Sequence, residues 1–288
     1  MAKKNETSAL METPVWFITG CSSGFGRHLA ECALEKGYCV VATALDPSTI
    51  QDLENKGSVL ILKLDVTDQQ QVDDAIEAAE AKFGHVDVLI NNAGIGYIAA
   101  IEESDEAAVR NMFEVNLFGL SRMIHGVLPH MRKRRKGFIV NFSSIAGLHG
   151  FPAIGYYSAT KFAVEGLSET LWQEVEPFGI KVMLVEPSGF RTNWFAAAEE
   201  SPQQIPDYAA TAGAFRKQLR TDTQPGDPAR AAIAIINAVE SASPPHRLLL
   251  GNTAVEMAMK QLQDEKKEFM AWEAVARSTD FPVPEHAI

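Results

Sequence analysis

The sequence predicts an α/β protein built on a parallel sheet with helices on both faces. Short apolar runs alternate with longer amphipathic stretches along the chain, which is the pattern of βαβ units. Within each short run the apolar residues are continuous, as expected of strands that are covered on both faces. Hydrophobic residues make up 46% and charged residues 22% of the 288 positions, so the chain can bury a large core.

The elements follow from these runs in chain order. Each strand is assigned where a short apolar run stands, and each helix where apolar residues recur at helical spacing. Asp68 is well placed near the N-terminus of one helix, and Pro177 ends another. The predicted strands are 15–19, 38–43, 59–64, 86–90, 138–142, 180–185 and 247–250. The predicted helices are 25–36, 48–55, 68–83, 104–134, 156–176 and 256–276.

One domain is predicted over residues 14–250, preceded by a disordered polar tail at 1–13. Two segments interrupt the strand–helix rhythm. The first, 190–226, is an insertion rich in aromatic residues, and loops of this length in compact domains are usually functional or disordered. It follows the end of a strand, where ligands bind in such sheets, so we predict a mobile substrate lid. The second, 251–288, is predicted to be a C-terminal helical extension with an irregular end.

Charge and cysteine content exclude several classes of protein. Lys plus Arg is 26 and Asp plus Glu is 37, a net charge of −11, which disfavours a nucleic-acid binder. The one basic run, 132–136, suits a solvated helix end. Three cysteines without a C-x-x-C pair support neither a disulfide framework nor a metal site. No apolar run approaches the ~20 residues of a membrane span, so we predict no membrane span and a cytoplasmic protein.

A glycine-rich turn follows the first predicted strand. Residues 19–26 have the sequence T-G-C-S-S-G-F-G, a G-x-x-x-G-x-G spacing between a strand and a helix. Glycines allow the tight turn and let the backbone approach a pyrophosphate, whose charge the N–H groups of the next helix then hold. We therefore predict nucleotide binding on a Rossmann-type doubly wound parallel sheet, a single domain with three αβα layers. A purely structural turn is the alternative.

The turn resembles the T-G-x-x-x-G-x-G fingerprint of the classical short-chain dehydrogenases/reductases, and further motifs follow in that family's order over residues 14–250. The turn and the region around Tyr157 are most similar to the branch of 17β-hydroxysteroid and retinol dehydrogenases. The further matches are Asp65-Val66, the N-N-A-G element Asn91-Asn92-Ala93-Gly94, Asn116, Ser144, the Y-x-x-x-K pair Tyr157 and Lys161, and Pro187-Ser188-Gly189-Phe190-Arg191-Thr192 in place of P-G-x-x-x-T.

The resemblance implies an NAD(P)-dependent oxidoreductase with the catalytic residues Asn116, Ser144, Tyr157 and Lys161. Ser144 would polarise the substrate oxygen, with Ser143 as the alternative. Asn116 would hold a water that links Lys161 to solvent, unless it only bonds backbone. The implied cofactor contacts are Gly20, Ser22, Ser23, Gly24, Phe25, Gly26, Leu45, Asp65, Val66, Asn92, Ala93, Gly94, Tyr157, Lys161, Pro187, Gly189 and Thr192.

The chemistry of Tyr157 and Lys161 supports this assignment. Four residues apart on a predicted helix, they share one face. A nearby ammonium favours the phenolate, so we expect Lys161 to lower the pKa of Tyr157. Tyr157 would then give a proton to a carbonyl oxygen or take one from an alcohol, while Lys161 would also bond the nicotinamide ribose.

The substrate, and the choice between NAD(H) and NADP(H), are predicted less specifically than the catalytic residues. The aromatic insertion favours a hydrophobic alcohol or carbonyl substrate, although these rings could equally pack the lid alone. At the 2′ position of the cofactor, Leu45 offers no cation and Asp46 would repel a phosphate, so NAD(H) is weakly favoured over NADP(H), while Arg27 and nearby hydroxyls could compensate.

Two other functions stay open at this point. A catalytically idle dinucleotide-binding regulator would have lost Tyr157 or Lys161, and both are present. Epimerases and dehydratases of the extended relatives usually carry a T-G-x-x-G-x-x-G turn, which is absent here. A homodimer or homotetramer is expected.

Overall fold

The computed structural model describes residues 13–221 and 223–281. Residues 1–12 of the predicted tail at 1–13, and residues 282–288 of the predicted irregular end, lie outside these ranges. The strands are β1 Val15–Ile18, β2 Cys39–Ala44, β3 Val59–Lys63, β4 Val88–Asn91, β5 Tyr97–Ile98, β6 Gly137–Phe142, β7 Ile180–Pro187, β8 Glu199–Glu200 and β9 Arg247–Leu250. The α-helices are α1 Gly24–Glu35, α2 Gln69–Phe83, α3 Glu106–Phe113, α4 Leu120–Arg134, α5 Gly155–Val175, α6 Trp194–Ala197, α7 Ala214–Thr221, α8 Pro228–Glu240 and α9 Asn252–Arg277.

Seven strands form one parallel sheet in the order β3-β2-β1-β4-β6-β7-β9. The chain first winds outward from β1 to β3 and then returns to β4 on the other side of β1. This reversal opens a crevice at the carboxyl ends of β1 and β4, the position at which doubly wound sheets bind ligands. The Rossmann-type fold predicted from the sequence is confirmed.

Two apolar clusters cover the two faces of the sheet. On one face, the sheet packs against α1, α8 and the 3₁₀ segment Pro47–Asn55, with Leu29 and Ile235 fully buried. On the other face it packs against α2, α4 and α5, with Met123 and Val164 fully buried. The strands are therefore sandwiched between helices, which gives the three αβα layers.

The long helix predicted over 104–134 is interrupted. A π-helical segment, Glu114–Gly119, separates α3 from α4. Asn116 at its centre directs its side chain to the backbone of Ile95, outside the helix. Gly119 lets this segment pack closely against Val66, since a Cβ at residue 119 would come within 2.5 Å of the Val66 side chain. π-helical turns are frequent at functional sites, and this one lies beside the crevice.

The basic run 132–136 ends α4, as predicted. Three of its cations lie in the last turn of the helix, where the negative end of the helix dipole favours them. Arg134 and Lys136 pair with the buried carboxylate of Asp87. These contacts tie the end of α4 to the start of β4.

The insertion at 190–226 contains more regular structure than its sequence predicted. It includes α6, α7 and β8, and β8 pairs in parallel with β5 to form a separate two-stranded sheet. This small sheet joins the insertion to the loop that follows β4. The backbone N–H of Glu199 donates to the Gly96 carbonyl at 3.0 Å, which extends the pairing by one bond.

Candidate active site

The glycine-rich turn after β1 forms a cradle at the N-terminus of α1. Gly20 and Gly24 have φ of +72° and +58°, a region that residues with a side chain rarely adopt. A Cβ on Gly26 would overlap the carbonyl oxygen of Gly20, so the turn packs directly on the helix. Within the described residues, the Ser23 side chain makes no capping hydrogen bond. The first N–H groups of α1 therefore stay available to an anion, which fits a cofactor pyrophosphate.

Asn92 fastens the segment after β4 to this cradle. Its side-chain amide donates to the carbonyl oxygens of Thr19 and Gly20 at 2.9 and 3.0 Å. In return, the Thr19 hydroxyl oxygen accepts from the backbone N–H groups of Asn92 and Ala93, each at 3.0 Å. The two loops at the crevice are thus held as one unit.

Ser144, Tyr157 and Lys161 meet at the carboxyl end of β6. Ser144 follows the strand, and its hydroxyl lies close enough to the hydroxyl of Tyr157 to lower the pKa of Tyr157. The Ser144 oxygen also accepts from the Ala146 N–H at 3.1 Å and lies 3.4 Å from the Pro187 carbonyl oxygen. The ammonium of Lys161 lies 5.6 Å from the centre of the Tyr157 ring and donates to the Phe142 carbonyl at 2.8 Å.

Ser143, the alternative to Ser144, points elsewhere. It is buried, and its hydroxyl lies beside the carboxyl group of Glu165 on α5. The geometry therefore favours Ser144 as the serine that faces a substrate oxygen, because only Ser144 contacts Tyr157.

The pKa of Tyr157 is raised, whereas the sequence predicted that Lys161 would lower it. Burial raises the pKa of Tyr157 to about 12, and the neighbouring Ser144 hydroxyl only partly offsets this rise. Burial also lowers the pKa of Lys161 to about 8, against the negative charge of Glu165, which raises it. In both groups burial has the larger effect on the pKa. At neutral pH Tyr157 is thus a proton donor and Lys161 is mostly charged.

Asn116 does not contact Lys161 directly. Its side-chain oxygen accepts from the Ile95 N–H at 2.8 Å, and its amide donates to the Ile95 carbonyl at 2.9 Å and to the Thr160 hydroxyl at 3.3 Å. Asn116 therefore braces the loop after Gly94 against α5. These bonds to backbone are those of the backbone-bonding alternative, and the water link from Asn116 to Lys161 stays a prediction.

A cavity of about 1200 Å³ connects these groups. Asn116 and Gly26 do not line this cavity. Asn116 braces a loop behind the cavity wall, and Gly26 is packed within the glycine-rich turn. The remaining predicted site residues line the cavity: Gly20, Ser22, Ser23, Gly24, Phe25, Leu45, Asp65, Val66, Asn92, Ala93, Gly94, Ser144, Tyr157, Lys161, Pro187, Gly189 and Thr192.

The far end of the cavity is apolar. Rings and aliphatic groups of the insertion and the neighbouring loops surround the space beyond Tyr157. Among the described lining residues, the carboxylates Asp46 and Asp65 stand at the other end, near Leu45, and Lys161 is beside Tyr157. The apolar wall is made by Ile95, Phe151, Ile154, Trp194, Phe195, Phe215, Leu219 and Met257.

Sequence reasoning missed three parts of this site. Gly96 provides space for the indole of Trp194, whose ring centre lies 4.8 Å from that of Tyr157. Thr253 and Met257, at the start of α9, line the cavity, although the extension was given no role. Their position after the carboxyl end of β9 was the available signal, because all strand ends of a parallel sheet meet at one edge.

The fold and site together define a dinucleotide-binding α/β protein with a serine–tyrosine–lysine centre. The family described as short chain dehydrogenase matches residues 14–203, and the chain belongs to this family. It is 40% identical over 253 residues to oxidoreductase BOA17 of Botryotinia fuckeliana, spanning 86% of this chain and 92% of the relative. It is 41% identical over 244 residues to a 3-ketodihydrosphingosine reductase of Bacteroides thetaiotaomicron, spanning 84% and 89%.

Solved structures agree with this assignment. A short-chain dehydrogenase from Streptomyces avermitilis superposes with a TM-score of 0.88 at 43% identity, covering 94% of this chain and 99% of that one. A Burkholderia phymatum relative in complex with NAD gives a TM-score of 0.79 at 26% identity over 89% and 95%. A Burkholderia cenocepacia relative binds NADP, with a TM-score of 0.73 at 25% identity over 90% and 97%. The chain is therefore an NAD(P)-dependent short-chain dehydrogenase/reductase.

Proposed function

We propose that the protein interconverts a hydrophobic secondary alcohol and ketone, or an alcohol and aldehyde, with Tyr157 as acid and base. The observation that carries this proposal is the placement of the Ser144 and Tyr157 hydroxyls near each other at the foot of an apolar cavity. A carbonyl oxygen placed against both hydroxyls would be polarised by Ser144 and would receive the proton of Tyr157. The bound nicotinamide would supply the hydride, the chemistry that belongs to the cofactor.

The protein's own residues would position the reaction. Gly20, Ser23 and the first N–H groups of α1 would hold the pyrophosphate, while Pro187, Gly189 and Thr192 would hold the nicotinamide half. Lys161 would bond the nicotinamide ribose and keep a positive charge near Tyr157. The apolar wall would exclude water from the reacting carbon, which strengthens each of these electrostatic contacts.

The wall of the cavity supports an uncharged, bulky substrate. Its far end carries aromatic and aliphatic groups from four separate segments, and a charged substrate would lose its hydration there without a partner. The insertion at 190–226 would act as a lid, because it supplies Trp194, Phe195 and Phe215 to this wall.

The contacts around Leu45 support NAD(H) as the preferred cofactor. Leu45 is 68% exposed at the cavity rim. The Ser48 side chain, and then the Ser48 N–H that donates to the Asp46 carboxylate at 3.0 Å, lower the pKa of Asp46 and keep it charged. Arg27, the cation that could have held a 2′-phosphate, pairs with Asp52 and Glu31. A phosphate at this rim would meet a carboxylate and no free guanidinium.

A substrate panel tests the proposal. Hydrophobic ketones, aldehydes and alcohols are incubated with NADH, NADPH or their oxidised forms, and reduced nicotinamide is followed by absorbance. The panel includes 3-ketodihydrosphingosine and retinol, because both appear in the names of relatives. Turnover that requires Tyr157 supports the proposal. Turnover that is confined to charged, hydrophilic substrates would contradict it.

Two further predictions concern the assembly and location of the protein. Within the described residues, no helix is long and apolar enough to cross a membrane. A cytoplasmic location stays a prediction. Phe118 and Phe162 expose about half of their side chains, at 50% and 48%, which supports the expected homodimer or homotetramer. Light scattering on the purified protein measures its mass.

A further inference from the structure

Two buried carboxyl groups lie behind the catalytic residues, and the proposed chemistry does not use them. Glu165 is one helical turn beyond Lys161 on α5, and Glu186 on β7 immediately precedes Pro187. Glu186 is fully buried and Glu165 is 6% exposed. Their carboxyl groups face each other within hydrogen-bonding range. Two negative charges this close inside a protein need compensation.

One arginine compensates for three carboxylates at this place. Nε of Arg247 lies 3.2 Å from Oε2 of Glu165 and 3.4 Å from Oε1 of Glu186. Nη2 of the same guanidinium lies 3.0 Å from Oε2 of Glu169, which is half-exposed. The guanidinium also lies over the Trp172 ring, against which His246 stacks. One positive charge leaves the two buried carboxyls with an excess of negative charge.

The two carboxyl oxygens of Glu186 also lack hydrogen-bond donors. Within the described residues, neither receives a hydrogen bond from an N–H or O–H group, although buried carboxylates are normally satisfied. A proton held between Glu186 and Glu165 would satisfy one oxygen of each and remove one charge. Burial raises the pKa of both carboxyl groups, which favours retention of this proton.

The pair is linked to the catalytic residues through α5 and the loop after β6. The negative charge of Glu165 raises the pKa of Lys161 against the effect of burial. The Ser143 hydroxyl lies beside Glu165, and Gly147 permits this approach, since a Cβ there would come within 2.5 Å of that hydroxyl. The charge on the pair therefore acts on the ammonium that faces Tyr157.

We propose that Glu165 and Glu186 share one proton and act as positioning residues that hold the positive charge on Lys161. This role rests on the oxidoreductase function proposed above. With one proton shared, a single negative charge faces Lys161; when that proton leaves at higher pH, the second charge favours the ammonium further. The charged and titratable groups facing the pair are Lys161 and Glu169 on α5, and Arg247 and His246 at β9.

The pH dependence of catalysis tests the link to Lys161. We measure kcat/KM for carbonyl reduction against pH in the wild type and in Glu165→Gln, Glu186→Gln and Glu169→Gln. The fall in rate that follows loss of the Lys161 proton should move to lower pH by about one unit in Glu165→Gln. It should move in the same direction, by less, in Glu186→Gln. Glu169→Gln is the matched control, because it removes an exposed partner of the same arginine, and its profile should not move.

Thermal unfolding tests the shared proton without any substrate. A group whose folded pKa is raised stabilises the protein below its unfolded pKa, and this contribution is lost as pH rises toward its folded pKa. Gln does not ionise, so Glu186→Gln does not lose stability in this way as the pH rises. The Tm of the variant relative to that of the wild type should therefore increase between about pH 5 and about pH 8. A Tm difference that does not vary with pH would overturn proton sharing.

The two tests separate the possible failures. If no substrate is turned over, the proposed oxidoreductase function fails while the unfolding series still reports on the pair. If turnover is normal and neither the Glu165→Gln nor the Glu186→Gln profile moves relative to Glu169→Gln, the positioning role is wrong.

Discussion

The indole of Trp194 fills the space that a side chain at residue 96 would need. A Cβ on Gly96 would come within 2.5 Å of Cζ2 and 2.9 Å of Cε2 of this indole. The same ring lies 4.8 Å from the ring of Tyr157. The backbone N–H of Trp194 donates to the hydroxyl oxygen of Thr192 at 3.3 Å. The loop after β4 and the insertion at 190–226, already joined by the pairing of β5 with β8, therefore also meet at this tryptophan, beside the proposed acid and base.

Gly96→Ala should therefore disturb catalysis through Trp194. Overpacking at a well-packed position typically costs about 1–3 kcal/mol, so we expect kcat/KM to fall roughly tenfold as the indole shifts against Tyr157. Steady-state kinetics on the best substrate of the panel measures this fall. Gly150→Ala is the control, because the Cβ there would meet no described atom within 4 Å.

A double-mutant cycle shows whether Trp194 is the cause. In a Trp194→Ala background, Gly96→Ala should be nearly neutral, because the space has been vacated. Equal losses in both backgrounds would show that Gly96 acts through something other than the indole.

Tyr157→Phe should abolish most turnover and leave cofactor binding intact. The ring and its packing remain, while the proton that Ser144 and the substrate oxygen would share is lost. Loss of general acid–base catalysis typically lowers kcat by about 10²–10⁴-fold. Cofactor affinity is measured by fluorescence titration, and Tyr156→Phe serves as the neighbouring control. Wild-type rates in the Tyr157 variant would remove this residue from the mechanism.

A buried ion pair anchors the insertion at 190–226, the proposed lid. Arg216 on α7 lies 2.6 Å from Oε2 of Glu103 and 3.2 Å from Oε1 of Glu200, and both Arg216 and Glu103 are buried. Arg216→Met leaves the Glu103 carboxylate without this cation, and breaking such a pair costs about 3 kcal/mol or more. We expect faster proteolysis within 190–226 and a raised KM.

Limited proteolysis followed by mass spectrometry measures the effect on the lid. Arg220→Met is the matched control, since Arg220 also pairs with Glu200 but is largely exposed. Cofactor and substrate together should slow cleavage in the wild type if the lid is mobile. Cleavage that is unchanged by ligands and by Arg216→Met would instead indicate a fixed structural insertion.

The parts of this protein that depend on local pattern were predictable, and those that depend on packing were not. Strands such as β1 and β6 follow from short apolar runs, and the glycine turn follows from its spacing. The contact of Trp194 with Tyr157 joins residues from α6 and α5, so no local spacing reports it. The upward pKa shift of Tyr157 arises from burial, which a sequence does not show. The π-helical break at Glu114–Gly119 depends on the bonds from Asn116 to Ile95.

Leu45→Arg should shift cofactor preference from NADH toward NADPH. In the wild type, Arg27 is bound to Asp52 and Glu31, and the charged Asp46 carboxylate stands beside Leu45 at the cavity rim. A guanidinium at residue 45 would offer a bidentate contact to a 2′-phosphate, while Leu45 offers none. We expect the wild type to show the higher kcat/KM with NADH, and the ratio to move at least about tenfold toward NADPH in the variant, since a hydrogen bond to a charged group contributes about 1.5–3 kcal/mol. Leu45→Lys provides the same positive charge without the bidentate geometry of a guanidinium, so it should shift the ratio of kcat/KM for NADPH to that for NADH by less. A clear wild-type preference for NADPH would contradict this prediction and would point to Arg27 and the serines of the glycine-rich turn as the phosphate site.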